Sequence, residues 1–270
     1  WQRKEAVMTV PNCMLQGPEL NVFRAYLDND DAFAKDWDAA ELPTLSRKVQ
    51  QCEVVTEEDR QVCVVTQTHL CDSNDKTVIG SMIKHTVHAD GWILLEQTVT
   101  PSQVLPTLPR IGMVMKLPTA MDQVHWYGKG PIETFSDRNT GAKVGYYQAS
   151  VDDLFVPYIH PQESGLRTNV RWVTVCDTDG NGWLVVGDPM MQFTARRYTS
   201  QDLHHARHQE DLSPRDFIEL AIDHKQAGTG NTSLRAERLK QHCVDLTEPM
   251  TWRCVIKPLD SSDIDRITLW

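Results

Sequence analysis

Two carboxyl groups held about 5–5.5 Å apart can hydrolyse a glycosidic bond with retention, one as acid/base and one as nucleophile. The chain has many such groups, 37 Asp and Glu against 27 Lys and Arg, but spacing singles out no pair. Glu133 and Asp137 lie close together in PIETFSD, and Asp28 and Asp30 in LDND. Arg138 and Arg24 are near them, and Asp and Asn are common turn formers, so capping and ion pairing explain these carboxylates better than catalysis. His204 and His208, four apart on a helix, would share a face, and with His205 they suggest a metal cluster. No carboxylate is tied to them, and a solvated helix is the expectation. His85 and His88, beside a turn in KHTVHADG, are read as structural. No GxSxG elbow, HExxH or P-loop occurs. Trp126, Trp172, Trp183 and Trp252 lie in strand-like sequence. Aromatic rings can form sugar platforms, yet their large apolar area places most of these in a core.

Short strands are the elements that would position these groups. Residues 61–70, 92–100, 111–117, 170–176, 182–187 and 251–257 are rich in β-branched and aromatic residues. Turn formers bound them at Asp90-Gly91, at Asp179-Gly180-Asn181-Gly182 and at Gly187-Asp188-Pro189. Many short strands indicate an all-β sandwich or barrel. Two helices are expected, at 30–40 and at 201–207, the second with Thr199 or Ser200 as N-cap. The most loop-like stretch is 224–233, HKQAGTGNTS. Its glycines and scarcity of apolar anchors predict mobility in the isolated domain, with order arising only against other parts of an enzyme.

At 270 residues with 40% hydrophobic and 24% charged residues, the chain can bury a sizeable core. A net charge of −10 with mixed signs argues against a nucleic-acid partner. No apolar run is long enough to cross a bilayer as a helix. The chain opens WQRKEAV, without a signal-peptide pattern, and truncation of its N-terminal edge is an open reading. Its seven cysteines form no CxxC pair. A zinc site or a full disulfide framework is therefore not expected, and small buried hydrophobes are.

Four motifs carry a resemblance. They are LNVFRAYLDND at 20–30; LPRIGMVMKLP at 108–118 followed by VHWYGKGPIETFSDR at 124–138; VPYIHPQESGLRTNVRW at 156–172; and the His224 loop. In order and spacing the chain resembles the C-terminal, small-chain domain of glycoside hydrolase family 2 β-galactosidases. On that resemblance residues 1–259 form the domain and 260–270 a C-terminal tail. It implies an all-β supersandwich like that of galactose mutarotase. It also implies a parent that hydrolyses terminal β-D-galactosides such as lactose with retention.

The same resemblance implies that this chain holds no catalytic residue, because the family's catalytic glutamates and its Mg and Na ligands lie in a central (β/α)₈ barrel. No strand–helix alternation of that kind occurs here. The chain itself is then expected to need no cofactor or metal. Its partners would be the barrel and other domains of the same enzyme, in a parent that is a homo-oligomer, and the galactoside at a shared edge. That edge would be formed by His224, Asn231, Thr232 and Ser233. Asp31 and Ala32 would join it, standing where the family has a mobile lid that often contains Gly. The family's loop usually ends in a Trp; Ser233 occupies that place here. Two other readings stay open. One is a stand-alone mutarotase-like sugar-binding protein, with His160, Glu163 and His224 converging on a concave face. The other is a separate small subunit of a heteromeric β-galactosidase. The compartment, cytoplasmic or periplasmic in a bacterial-type enzyme, is left open.

Overall fold

The turn at Asp177–Asn181 launches the strand that organises the fold, β10 (Gly182–Arg196). The computed structural model describes residues 14–58, 60–232, 237–261 and 263. Before β10 come β1 (Gln16–Asn21), β2 (Ser46–Glu58), β3 (Gln61–Cys71), β4 (Thr77–His88), β5 (Ile93–Pro101), β6 (Arg110–Pro118), β7 (Gln123–Gly130), β8 (Lys143–Ser150) and β9 (Arg167–Cys176). After it come β11 (Phe217–Gln226) and β12 (Met250–Leu259). All pair antiparallel in one 12-stranded sheet.

The first half of β10, Gly182–Asp188, pairs with β12, which leads on through β5, β4 and β3 to β2. Its second half, Gln192–Arg196, pairs with β11, which leads to β6 and β1. On its other side β10 carries β9, then β7 and β8. The change of partner falls at Gly187-Asp188-Pro189, which the sequence marks as a turn bounding a strand. The segment lies inside β10 instead, where the register against β9 shifts between Val186 and Met191. Proline has no N–H to donate to a ladder, so the strand bends there instead of ending.

The sheet curls over its apolar residues. One core cluster takes Ile83, Leu95, Met113, Met115, Val124, Trp126, Val173, Val175, Val185, Phe193, Leu220, Ile222 and Ile256 from strands on both sides of β10. A second cluster gathers Leu20, Val22, Trp37, Leu42, Leu70, Ile79, Val99, Leu108, Ile111 and Leu246. Trp126, Trp183 and Trp252 are buried, as their strand-like settings suggest, and Trp172 is half-buried. Cys63, Cys71, Cys176 and Cys254 are buried free thiols, while Cys52 is exposed. Burial pushes the Cys254 thiol up to about 12, so it stays protonated.

Both expected helices form. The first, α1, covers Asp31–Ala39 and follows a 3-10 turn at Asp28–Asp30. The single-turn α2 covers Val151–Leu154, and α3 covers Ser200–His205 with Thr199 as N-cap. Thr199 accepts from the Asp202 N–H at 3.1 Å, and the Thr199 N–H in turn donates to the Asp202 carboxylate at 2.8 Å. His208 lies beyond the end of α3, so it does not share a helix face with His204.

A network of buried charges lies against β6, β10 and β11. Arg110 donates to both oxygens of Asp223, at 3.1 and 2.6 Å, and sits 3.5 Å from Glu163. Arg196 lies 2.9 Å from the other Glu163 oxygen and 3.0 Å from Glu219. Arg24 donates to both oxygens of Asp30, at 3.1 and 3.2 Å, and to Gln226 at 3.1 Å. Arg238 also pairs with Asp30. Four arginines thus face four carboxylates, all in buried residues. Gly112 makes room for this arrangement, since a Cβ there would overlap the Asp223 carboxylate. Burial opposes ionisation of Glu163, but the charges of Arg196 and Arg110 outweigh it and hold its carboxyl below the usual range. Burial likewise opposes the charge on Arg110, and Asp223 and Glu163 more than restore it.

Removing one charge from such a cluster leaves its partners buried and uncompensated. Glu163→Gln is therefore expected to cost about 3–5 kcal/mol in a urea-unfolding measurement. Because the folded pKa of Glu163 is depressed, its contribution is present above the unfolded value of about 4.3 and is lost as pH falls below it. The wild type should lose stability faster than Glu163→Gln when unfolding is repeated from pH 5 down to pH 3. Parallel pH profiles for the two proteins would contradict this role.

Candidate functional site

The edge begins in the first motif. Asp30, pinned by Arg24 and Arg238, accepts the Leu27 N–H at 2.8 Å and closes the turn that starts α1. Trp37, fully buried, anchors α1 through its indole N–H to the Thr107 carbonyl at 2.5 Å. With Asp30 and Trp37 turned inward, Asp28, Asn29, Asp31 and Ala32 are exposed. The inward carboxylate of LDND is thus Asp30, and among the described residues Asp28 meets Gln162, at 3.1 Å, and His160, at 3.6 Å.

The second half of the edge is the segment after β11. His224, Lys225 and Gln226 continue the strand, so the loop starts at Ala227 and not at His224. His224 is half-buried and stacks on Trp252, with centroids 5.9 Å apart and planes at 20°. Burial, assisted by Lys225, lowers its pKa. Asn231 and Thr232 are exposed at the loop itself. Ser233 lies outside the described residues.

Side chains hold the loop where apolar anchors are lacking. The Asp137 carboxylate accepts the Thr229 N–H at 2.9 Å, the Gly230 N–H at 2.8 Å and the Thr229 hydroxyl at 3.3 Å. A Cβ at 228 would overlap that carboxylate, so glycine is required for its approach. Arg238 donates to the Gly228 carbonyl at 2.6 Å, pairs with Asp30 and lies 4.1 Å above the Phe33 ring. The Gly228 N–H donates to the His242 carbonyl at 3.0 Å, and His242 Nδ1 lies 3.1 Å from the Ser136 hydroxyl. Asn231 closes the loop by accepting the Leu239 N–H at 3.0 Å.

Arg238 therefore ties the 24–33 segment, which carries Asp31 and Ala32, to the 227–232 loop, which carries Asn231 and Thr232. His160, Glu163 and His224 have separate partners: Asp28, the Arg110–Arg196 pair and Trp252. Glu133 accepts the Tyr158 hydroxyl at 2.7 Å and the Gly165 N–H at 2.6 Å. His204 sits edge-on to Phe23 and Tyr26, at 5.2 and 4.6 Å. Among the described residues no group of three or more His, Cys, Asp or Glu could hold a metal ion. Arg238 and His242 hold the loop without having been singled out in the sequence, and Asp137, read there as a structural carboxylate, does cap backbone amides. Asp137 lay inside the PIETFSDR motif, whereas nothing local marks Arg238, whose partner Asp30 is 208 residues away.

These features define an all-β domain with its strongest charges sealed inside and two tethered polar segments at one edge. The chain belongs to the beta galactosidase small chain family, whose model matches residues 2–256. It is 31% identical over 245 residues to a beta-galactosidase of Priestia megaterium, covering 88% of this chain and 23% of that protein. It is 34% identical over 230 residues to a beta-galactosidase of Vibrio vulnificus, covering 80% of this chain and 21% of that protein. The chain thus spans less than a quarter of the length of these relatives. Among solved structures it overlaps the galactose 1-epimerase from Lactobacillus acidophilus NCFM with a TM-score of 0.44 and 8% identity, over 82% of this chain and 68% of that one.

Bonds to an ionised acceptor contribute about 1.5–3 kcal/mol each at most, so Asp137 is the main polar clamp on the loop. In Asp137→Ala, amide hydrogen exchange at Thr229 and Gly230 should accelerate by at least tenfold while exchange in β10 and β11 stays at the wild-type rate. Unchanged protection at both amides would mean that Arg238 alone holds the loop.

Proposed function

We propose that this chain is the C-terminal domain of a retaining β-galactosidase and forms one wall of a galactoside site whose catalytic carboxylates lie elsewhere in the enzyme. The observation that carries this reading is the match of nearly the whole chain to a family in which the chain covers less than a quarter of the relatives it matches. The arrangement of carboxylates supports it. Glu163 is buried between two arginines, and Glu133 is bonded to Tyr158 and Gly165, so neither is free to act as a nucleophile opposite an acid. On this reading the domain supplies position and shape. Arg238 and Asp137 hold the loop against the α1 segment, and Asp31, Ala32, Asn231, Thr232 and Ser233 meet the sugar or its leaving group. The barrel is the partner that the edge faces, and Mg and Na belong to that barrel. A terminal β-D-galactoside such as lactose is the substrate, in a parent that is a homo-oligomer.

The purified chain is expected to give no turnover of a chromogenic β-galactoside above a buffer blank. Turnover that follows the pure protein and disappears in Glu133→Gln or Glu163→Gln would overturn the assignment. Ser233 offers one hydroxyl where the resembling family offers a flat apolar ring. Ser233→Trp in the full-length enzyme should therefore lower KM for a simple galactoside, by an amount equivalent to about 1–2 kcal/mol of binding. An unchanged or raised KM in a folded variant would place the sugar platform on another residue.

A further inference from the structure

We propose a second carbohydrate-binding surface on the outer face of β7, β8 and β9, specific for a neutral oligosaccharide and separate from the edge just described. The register places Tyr146, Tyr127 and Trp172 opposite one another on three adjacent strands. Val124, Trp126 and Val173 from the same strands belong to the core. Side chains alternate along a strand, so Tyr127, Tyr146 and Trp172 face outward. Tyr127 is 38% exposed and Tyr146 43% exposed. Trp172 is the half-buried member of the four strand tryptophans, and no core position accounts for it.

The rings form a built surface. Tyr146 and Trp172 lean towards each other across β7, with centroids 6.0 Å apart and planes at 45°. The Tyr146 hydroxyl is held 2.7 Å from His125 Nδ1, which fixes both side chains and leaves His125 Nε2 as the other polar ring atom. The Arg171 guanidinium lies 5.7 Å from the centre of the Tyr127 ring. Such shallow aromatic cradles take the C–H face of a pyranose, which is apolar while its rim is polar.

Polar groups continue the strip in one direction. The next row in register is Gln148 and His125, with Thr174 buried beside them on β9, and beyond it come Ser150 and Gln123, with Cys176 buried beside them, so the accessible strip runs along β7 and β8. There a shallow depression is lined by Gln123, His125, Asp177, Thr178 and Asp179. From Tyr127 to Gln123 the strip runs about 13 Å along β7, longer than one hexose ring, so the ligand is an oligosaccharide. Hydroxyl groups suit the amide, imidazole and carboxylate groups along this path. The exposed carboxylate of Asp179, on a chain of net charge −10, disfavours an anionic saccharide. No residue of this strip belongs to the 24–33 segment or to the 227–242 loop, so the proposal does not depend on the edge reading.

The test is a tryptophan-fluorescence titration of the purified chain with β-1,4-galactotetraose, with polygalacturonate oligomers as the anionic comparison. Saturable binding of the neutral tetrasaccharide is expected, weakened roughly threefold to tenfold in Tyr127→Ala and Tyr146→Ala, read calorimetrically alongside. Trp172→Phe should retain binding and Trp172→Ala should lose it. Because these side chains face outward, circular dichroism should show all variants folded. Thr229→Ala, at the edge loop, should bind as the wild type does. The proposal is overturned by absence of saturation with the wild type, by equal binding of the anionic oligomer, or by loss of binding in Thr229→Ala but not in Trp172→Ala. It is also overturned if Trp172→Ala only lowers the oligomeric mass in light scattering, which would make the face a contact between copies of the chain.

Discussion

The Arg110–Asp223 pair, with Glu163 bridging Arg110 to Arg196, is the interaction on which the rest of the structure depends. Taking ions out of water is costly, and the cost is recovered only where opposite charges meet in good geometry. Here the pairing is close, with Arg110 gripping Asp223 through two nitrogens, while burial and the neighbouring Glu163 still hold the Asp223 carboxyl above its usual range. This demand reaches back into the motifs. The first brings Arg24 and Asp30, the second Arg110 and Gly112, the third Glu163, and β11 brings Asp223 and Gln226. Carboxylates that look like chemistry in the sequence are thereby used to lock segments together.

That lock determines what is left at the surface. Asp30 is occupied on two sides by Arg24 and Arg238, so the exposed residues of the α1 start are Asp28, Asn29, Asp31 and Ala32. Arg238 carries the constraint onward to the Gly228 carbonyl, and Asp137 grips the next two amides. A loop with little to bury is thus held by ionic and backbone bonds in place of apolar contact. The edge is assembled from segments far apart in the chain, and its parts are coupled through one guanidinium.

The sheet provides the rigid frame for both the edge and the outer aromatic face. β10 belongs to both halves of the curl, and its change of partner at Gly187–Pro189 lets one core fill from two sides. Aromatic residues then sort by strand alternation. Trp126 and Tyr147 turn towards the core, while their neighbours Tyr127 and Tyr146 turn to solvent. One residue of register separates a buried ring from an exposed one.

Much of the frame was legible beforehand. β-branched runs at 61–70, 111–117 and 251–257 become β3, β6 and β12, and the helices at 31–39 and 200–205, the second capped by Thr199, form close to their expected limits. These elements follow from local periodicity and capping, which a sequence displays directly. Strands such as β2, which is polar and exposed along much of its length, and β8, with only half its residues facing the core, lack that signal and went unread. Residues 224–226 look like loop because they are polar, yet they continue β11, where Lys225 and Gln226 pair with Ile111 and Arg110 of β6. The sequence by itself determined an all-β domain and its resemblance to the β-galactosidase small-chain family. Only the tertiary structure decided which carboxylate meets which arginine. Arg110 and Asp223 are 113 residues apart, and Arg238 and Asp30 are 208 apart. Ion pairing depends on distance in space, and no spacing rule along the chain carries that distance.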